Sequence, residues 1–171
     1  MSLLDKTPLD PLNQNFSKRV CLDQLDSFAF ALLKKADFFS TLCFYGDLGA
    51  GKTTLIRSLS AACGVDKRNV TSPTYVYLHH YKSEKSRSDL FEIAHFDLYR
   101  LGSSENFFAM GWEEYLENSL EQSSAENQQA RRLTFIEWPE RLEGRLPKKR
   151  LDIEIKIVDR EARDITIYER S

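Results

Sequence analysis

Cysteine is scarce in this chain of 171 residues: there are three, an odd number, at Cys21, Cys43 and Cys63. None has a near neighbour of the kind that zinc sites use, and three thiols cannot pair off as a disulfide framework. They fit reduced side chains packed as small apolar groups in a cytoplasmic protein. Long apolar runs are missing as well, since nothing approaches the roughly 18 residues of a membrane span. The opening residues, Met1-Ser2-Leu3-Leu4-Asp5-Lys6, have neither the charged start nor the apolar stretch of a secretion signal. A surplus of either charge is also lacking. The 24 basic and 26 acidic side chains leave a net charge of −2, which argues against coating nucleic acid through bulk positive charge.

What is present is globular composition. Hydrophobic residues make up 42% and charged residues 29%, a balance that argues against disorder. A chain of this length buries about 70% of its unfolded surface. That suits a single α/β domain over residues 1–171, with residues 1 to about 16, around Pro8 and Pro11, as a loose lead-in.

Leu22, Leu25, Phe28, Ala29, Leu32, Leu33 and Ala36 recur at helical spacing. Thr41-Leu42-Cys43-Phe44-Tyr45 is a short apolar run ending at Gly46, which reads as a buried strand. A helix is expected over Lys52–Cys63, stopped by Gly64. Tyr75–Tyr81 and Phe91–Tyr99 read as a strand pair separated by a charged turn at Ser83–Asp89. Glu105 to about Leu120 reads as a helix interrupted at Gly111, and Glu121–Ala130 as a polar loop. Leu133–Ile136 reads as a second buried strand. The alternating Leu151, Ile153, Ile155 and Ile157, with Ile165 and Ile167, read as a solvent-facing antiparallel hairpin. The fold expected is three-layer α/β, with a mainly parallel sheet and antiparallel additions.

One stretch carries chemistry by itself. Gly46-Asp47-Leu48-Gly49-Ala50-Gly51-Lys52-Thr53 fits G-x-x-x-x-G-K-[ST] at every specified position. Its glycines let backbone N–H groups curl round an anion, and the following helix presents its positive end. In such a loop the lysine, Lys52, reaches the β- and γ-phosphates, and the hydroxyl of Thr53 ligates Mg²⁺. A chance match in a chain of this length is on the order of one in a hundred, so a nucleoside triphosphate site is strongly favoured over a glycine-rich turn. Such a loop needs a carboxylate from a neighbouring strand end. Glu137, after Leu133–Ile136 and before Trp138-Pro139, is the first candidate and Asp97 the second. Spacing alone leaves Thr74, in Ser72-Pro73-Thr74, as turn chemistry. It also leaves His79, His80 and His95 as structural or surface residues.

Taken together, Gly46-Asp47-Leu48-Gly49-Ala50-Gly51-Lys52-Thr53-Thr54, Ser72-Pro73-Thr74-Tyr75, His95-Phe96-Asp97-Leu98-Tyr99-Arg100-Leu101 and Glu137-Trp138-Pro139-Glu140-Arg141 resemble the TsaE family over roughly Leu22–Ile167. TsaE proteins are small bacterial ATPases required for threonylcarbamoyladenosine formation on tRNA. The resemblance implies ATP and Mg²⁺ as cofactors, Lys52 as the phosphate lysine, and Thr53 and Glu137 as metal ligands. It implies Asp97 as a residue needed for hydrolysis and at the metal, Thr74 in a switch-like loop, and Trp138 beside the nucleotide. It places adenine against the segment around Asp23 and Gln24. As partner it implies a TsaD–TsaB complex, through which tRNA is reached, with no membrane involved. Glu105-Asn106 stands where the family usually has an acidic pair.

Two other classes compete. A small-molecule or nucleoside kinase shares the phosphate loop but needs an arginine-bearing lid. The one adjacent arginine pair, Arg131-Arg132, precedes a strand instead. A GTP switch would carry an N-K-x-D guanine signature, which the sequence lacks.

Overall fold

In a computed structural model, residues 15–36, 39–83, 91–116 and 131–171 are described. The expected polar loop Glu121–Ala130, the lead-in before residue 15 and most of the turn after Ser83 lie outside them.

The strands are β1 (Asn15–Cys21), β2 (Thr41–Tyr45), β3 (Leu78–Lys82), β4 (Phe91–Asp97), β5 (Arg131–Glu137), β6 (Arg150–Ile157) and β7 (Ala162–Arg170). They form one sheet in the order β1-β7-β6-β2-β5-β4-β3. The middle four run parallel, with Leu42 opposite both Phe135 and Leu151, and Asp97 opposite Glu137. The β3–β4, β6–β7 and β1–β7 pairings are antiparallel. An α/β sheet that is parallel in its middle, with antiparallel additions at both edges, is therefore the architecture, as the apolar runs implied.

Two helices, α1 (Leu25–Lys35) and α2 (Lys52–Ala62), cover one face. Their Phe28, Leu32, Leu55, Ile56 and Leu59 meet Leu42, Phe44, Phe135, Ile153 and Ile165 from the sheet. A shorter helix, α3 (Ser104–Ala109), caps part of the other face, where Phe107 packs with Cys43, Phe96, Ile136 and Leu142. With both faces covered, β2 has to be apolar at successive positions, and it is. Among the described residues no helix is long and apolar enough to cross a membrane.

Several local expectations are corrected. Asn15–Cys21, part of it assigned to the lead-in, is an edge strand: Ser17, Lys18 and Arg19 are exposed, Phe16 and Cys21 half-buried and Val20 buried, so the apolar signal is weak. The C-terminal hairpin is no solvent-facing appendage. Its first strand, β6, sits beside β2, with Leu151, Ile153 and Ile155 in the α1–α2 core and Asp152 buried behind ion pairs to Arg150 and Arg170. Tyr75–Tyr77 forms a turn, with the amides of Val76 and Tyr77 both donating to the Pro73 carbonyl, so β3 starts only at Leu78. The helix expected from Glu105 does break at Gly111, with a φ of +71° that suits a residue without Cβ. It ends already at Ala109, however, only a 3-10 turn at Glu113–Tyr115 follows, and its last part, residues 117–120, lies outside the described residues.

Cys43 and Cys63 are buried and Cys21 is half-buried, all as free thiols. Burial pushes the Cys43 thiol pKa up, away from the reactive thiolate. A disulfide reagent should therefore modify Cys21 first in the folded protein and reach Cys43 and Cys63 only on unfolding; three thiols reacting together in the native state would contradict this packing.

Candidate functional site

The strands β2, β4, β5 and β6 all end at one edge of the sheet, where α/β proteins bind their ligands. There β2 runs through residues 46–51 into α2. Gly46 has a φ of +143°, and a Cβ on it would meet the Ile155 carbonyl oxygen at 2.5 Å. Gly51, with a φ of +105°, caps α2. From β7, the Arg163 Nε donates to the Ala50 carbonyl at 2.8 Å and so ties the loop to the C-terminal hairpin. The first-turn N–H groups of α2 have no acceptor inside the helix and carry its positive end.

Lys52 is only 5% exposed. Its Nζ donates to the carbonyls of Gly46 at 2.6 Å and Asp47 at 3.0 Å, and sits 3.9 Å from the centre of the Trp138 ring. Burial pushes its pKa below the ordinary lysine value, while the charges of Glu137, Asp97, Glu140 and Asp47 oppose that shift. Trp138 takes a left-handed φ of +59° and packs on Tyr99. A non-glycine residue held there is typical of a site where structure over-determines the backbone.

The two carboxylates end adjacent parallel strands in matching register. Glu137 is buried, and its Oε1 accepts from the Thr53 hydroxyl at 2.7 Å and from His95 Nε2 at 2.9 Å. Asp97 is also buried. Its Oδ2 accepts from the hydroxyls of Ser72, at 2.7 Å, and Thr74, while its Oδ1 accepts from the Tyr99 amide at 3.1 Å. Leu48, Gly49, Gly51, Lys52, Thr53, Thr54, Thr74, Asp97, Glu137 and Trp138 thus line one cleft of about 270 Å³, together with Ser72, Tyr99 and Arg100.

Asp23 and Gln24 stand apart from that cleft. They lie in a 3-10 turn, Leu22–Gln24, and the Gln24 side chain accepts from the Cys21 amide at 3.3 Å. A second, smaller cavity of about 80 Å³ also borders the phosphate loop, at Ala50 and Gly51. Cys21, Leu22, Leu25, Ala50, Gly51, Thr54 and Arg163 are among its lining, and neither Asp23 nor Gln24 is.

Sequence reasoning passed over His95, Ser72, Arg100 and Arg163. His95 had a signal, since it precedes Asp97 by two and so shares its face of the strand. Arg163 had none, because its partner Ala50 lies far away in the chain. His79 bonds Tyr81, and His80 lies against Tyr115, as structural histidines do. Among the described residues no three His, Cys, Asp or Glu side chains form a metal cage. Thr53 with one or two carboxylates instead suits Mg²⁺, which keeps waters and phosphate oxygens as its other ligands.

Fold and loop together define an α/β protein of the P-loop type. The family described as threonylcarbamoyl adenosine biosynthesis protein TsaE matches residues 21–165. The chain belongs to the TsaE family, the proteins of tRNA threonylcarbamoyladenosine biosynthesis. It is similar to the tRNA threonylcarbamoyladenosine biosynthesis protein TsaE of Rickettsia prowazekii, 32% identical over 127 residues, 74% of this chain and 75% of that one. It is similar to the Haemophilus influenzae TsaE, 35% identical over 122 residues, 71% of this chain and 65% of that one. With the Bacillus subtilis TsaE it shares 31% identity over 126 residues, 73% of this chain and 66% of that one. The crystal structure of Bacillus subtilis YdiB has the same fold, with a TM-score of 0.61 at 23% identity, covering 92% of this chain and 86% of that one.

Proposed function

We propose that this protein binds ATP with Mg²⁺ in the cleft and hydrolyses it to ADP and phosphate, acting on a TsaD–TsaB complex in threonylcarbamoyladenosine formation on tRNA. The observation that carries the reading is the bond between Thr53 and Glu137 beside the buried Lys52. It puts a phosphate loop and a strand-end carboxylate within reach of one Mg²⁺–phosphate cluster.

The N–H groups at the start of α2 and the Lys52 ammonium bind and orient the β- and γ-phosphates. Thr53 and Glu137 hold the metal, with Asp97 close by. Bound Mg²⁺ neutralises charge on the phosphate oxygens. The nucleoside end reaches across Gly51 and Thr54, which line both cavities, toward Leu22 and Leu25 and so to the edge of the Asp23–Gln24 turn. Asp97 accepts from Ser72 and Thr74 at rest and orients the attacking water once that loop shifts, which couples the state of the loop to hydrolysis. Trp138 covers the lysine and excludes water. A kinase reading gains nothing here, since Arg132 lies at the far end of β5 from Glu137 and its guanidinium packs over Tyr115.

The test separates binding from turnover. Glu137→Ala and Asp97→Ala should each lower hydrolysis by more than about 10- to 100-fold, the range that loss of a mere outer partner of a metal ligand produces. ADP affinity measured without metal should hold, because the phosphate-loop contacts survive. Normal turnover in both variants would remove the two carboxylates from the mechanism.

A further inference from the structure

We infer that His95 is a positioning residue: its Nε2–H fixes the Glu137 carboxylate so that Oε1 is committed to the protein and Oε2 is left for the metal. The inference rests on the Mg²⁺ reading above and goes beyond it.

His95 is fully buried on β4, and its Nε2 lies 2.9 Å from Glu137 Oε1. An ionised carboxylate can only accept, so Nε2 must carry the proton. The other ring nitrogen, Nδ1, is buried with no hydrogen-bond partner. That is an expensive arrangement, because a buried polar atom left unpaired loses its hydration with nothing in return. An apolar side chain would fill the same space beside the Tyr81 ring, 6.2 Å away between centroids, without that cost. Packing therefore does not account for a histidine here; the Nε2–H bond does. Oε1 receives two donors, one from each side, Thr53 from α2 and His95 from β4. Two donors on one oxygen define the carboxylate's rotation, while Thr53 alone would let it swing with the hydroxyl. The helix, β4 and β5 are thereby joined at a single oxygen, and the register of β4 on β5 sets the aim of the carboxylate.

The test uses side chains that place a donor at different points. Glutamine can put its amide nitrogen where Nε2 stands, asparagine only near Nδ1, and leucine offers no donor. ADP affinity is measured by calorimetry with Mg²⁺ and with a chelator for the full chain, His95→Gln, His95→Asn and His95→Leu, with melting curves alongside. The expected result is that Mg²⁺ tightens ADP binding to the unsubstituted protein and to His95→Gln. The gain should fall about 10- to 100-fold in His95→Asn and His95→Leu, the scale of lost outer ligand contacts, and metal-free affinity should stay within about twofold. If His95→Leu does not fold, the Gln and Asn pair decides. A full Mg²⁺ gain in His95→Asn, or a His95→Gln as impaired as His95→Asn, overturns the inference. An unsubstituted protein whose ADP affinity ignores Mg²⁺ overturns the metal reading first, and the inference with it.

Discussion

Replacing Lys52 with alanine is expected to lower ATP affinity about 1000-fold, or roughly 4 kcal/mol, because two charge-assisted phosphate contacts are lost at about 2 kcal/mol each. The setting supports an effect at the upper end. Lys52 is already desolvated, held by the Gly46 and Asp47 carbonyls and against the Trp138 ring, so little further water must be stripped when it turns to a phosphate. Without it, the proposed Mg²⁺, the helix N–H groups and the outlying Arg100 would be left to offset a polyanion facing Glu137 and Asp97. Calorimetric titration with ATP and Mg²⁺ measures the change. Lys52→Arg serves as a control for the two carbonyls the ammonium satisfies, because it keeps the charge while changing its shape. Binding by the alanine variant within tenfold of the unsubstituted protein would sink the phosphate-lysine assignment.

How much of this was readable beforehand follows from which forces are local. The phosphate loop, β2, α2 and β5 were legible because their signals sit within a few residues: Gly51 before Lys52, Gly64 after the helix, Pro139 after Glu137. The place of β6 was not. Alternation in Leu151–Ile157 is the same for a surface hairpin and for a central strand whose second face buries one paired charge, Asp152. The strand β1 carries a weak pattern, since an edge strand needs little apolar surface. At the site, residue types announced Lys52, Thr53 and Glu137, but the hydrogen bonds that aim them come from elsewhere. His95 reaches Glu137 across a β4–β5 register, and Arg163 reaches Ala50 from the last hairpin. The turn at Tyr77, with a φ of +66°, belongs to the same class: two amides drawn to one proline carbonyl override a run of strand-forming residues.

Partner stimulation is the prediction with the largest range. Asp97 spends its acceptors on Ser72, Thr74 and the Tyr99 amide, so orienting a water requires the Thr71–Thr74 loop to shift. Arg100, at the mouth of the cleft, is stacked on Tyr75 with 4.5 Å between guanidinium and ring centre, which keeps its charge at the rim. On the proposed reading, both features should hold turnover low in the isolated chain. The same mouth exposes apolar surface unlike the rest of the site: Tyr75 is 79% exposed and Leu48 74%, with Val76 exposed beside them. A protein partner covering that rim would bury those side chains, move the loop that grips Asp97, and either release Arg100 or add a cation of its own. The aromatic run from Phe107 to Tyr115 offers no comparable face, because most of its rings pack into the core. Turnover alone should therefore be weak and should rise on adding a TsaD–TsaB complex, with gains of about 10³–10⁵ where a missing cation is supplied in trans. Tyr75→Ala should blunt the stimulation, while ATP affinity of the free chain should hold or rise, since Arg100 is released from the ring. Turnover is measured with and without the two partners, followed by tRNA modification with and without this protein. Equal turnover in both conditions, together with modification that proceeds unchanged in its absence, would overturn the partnership.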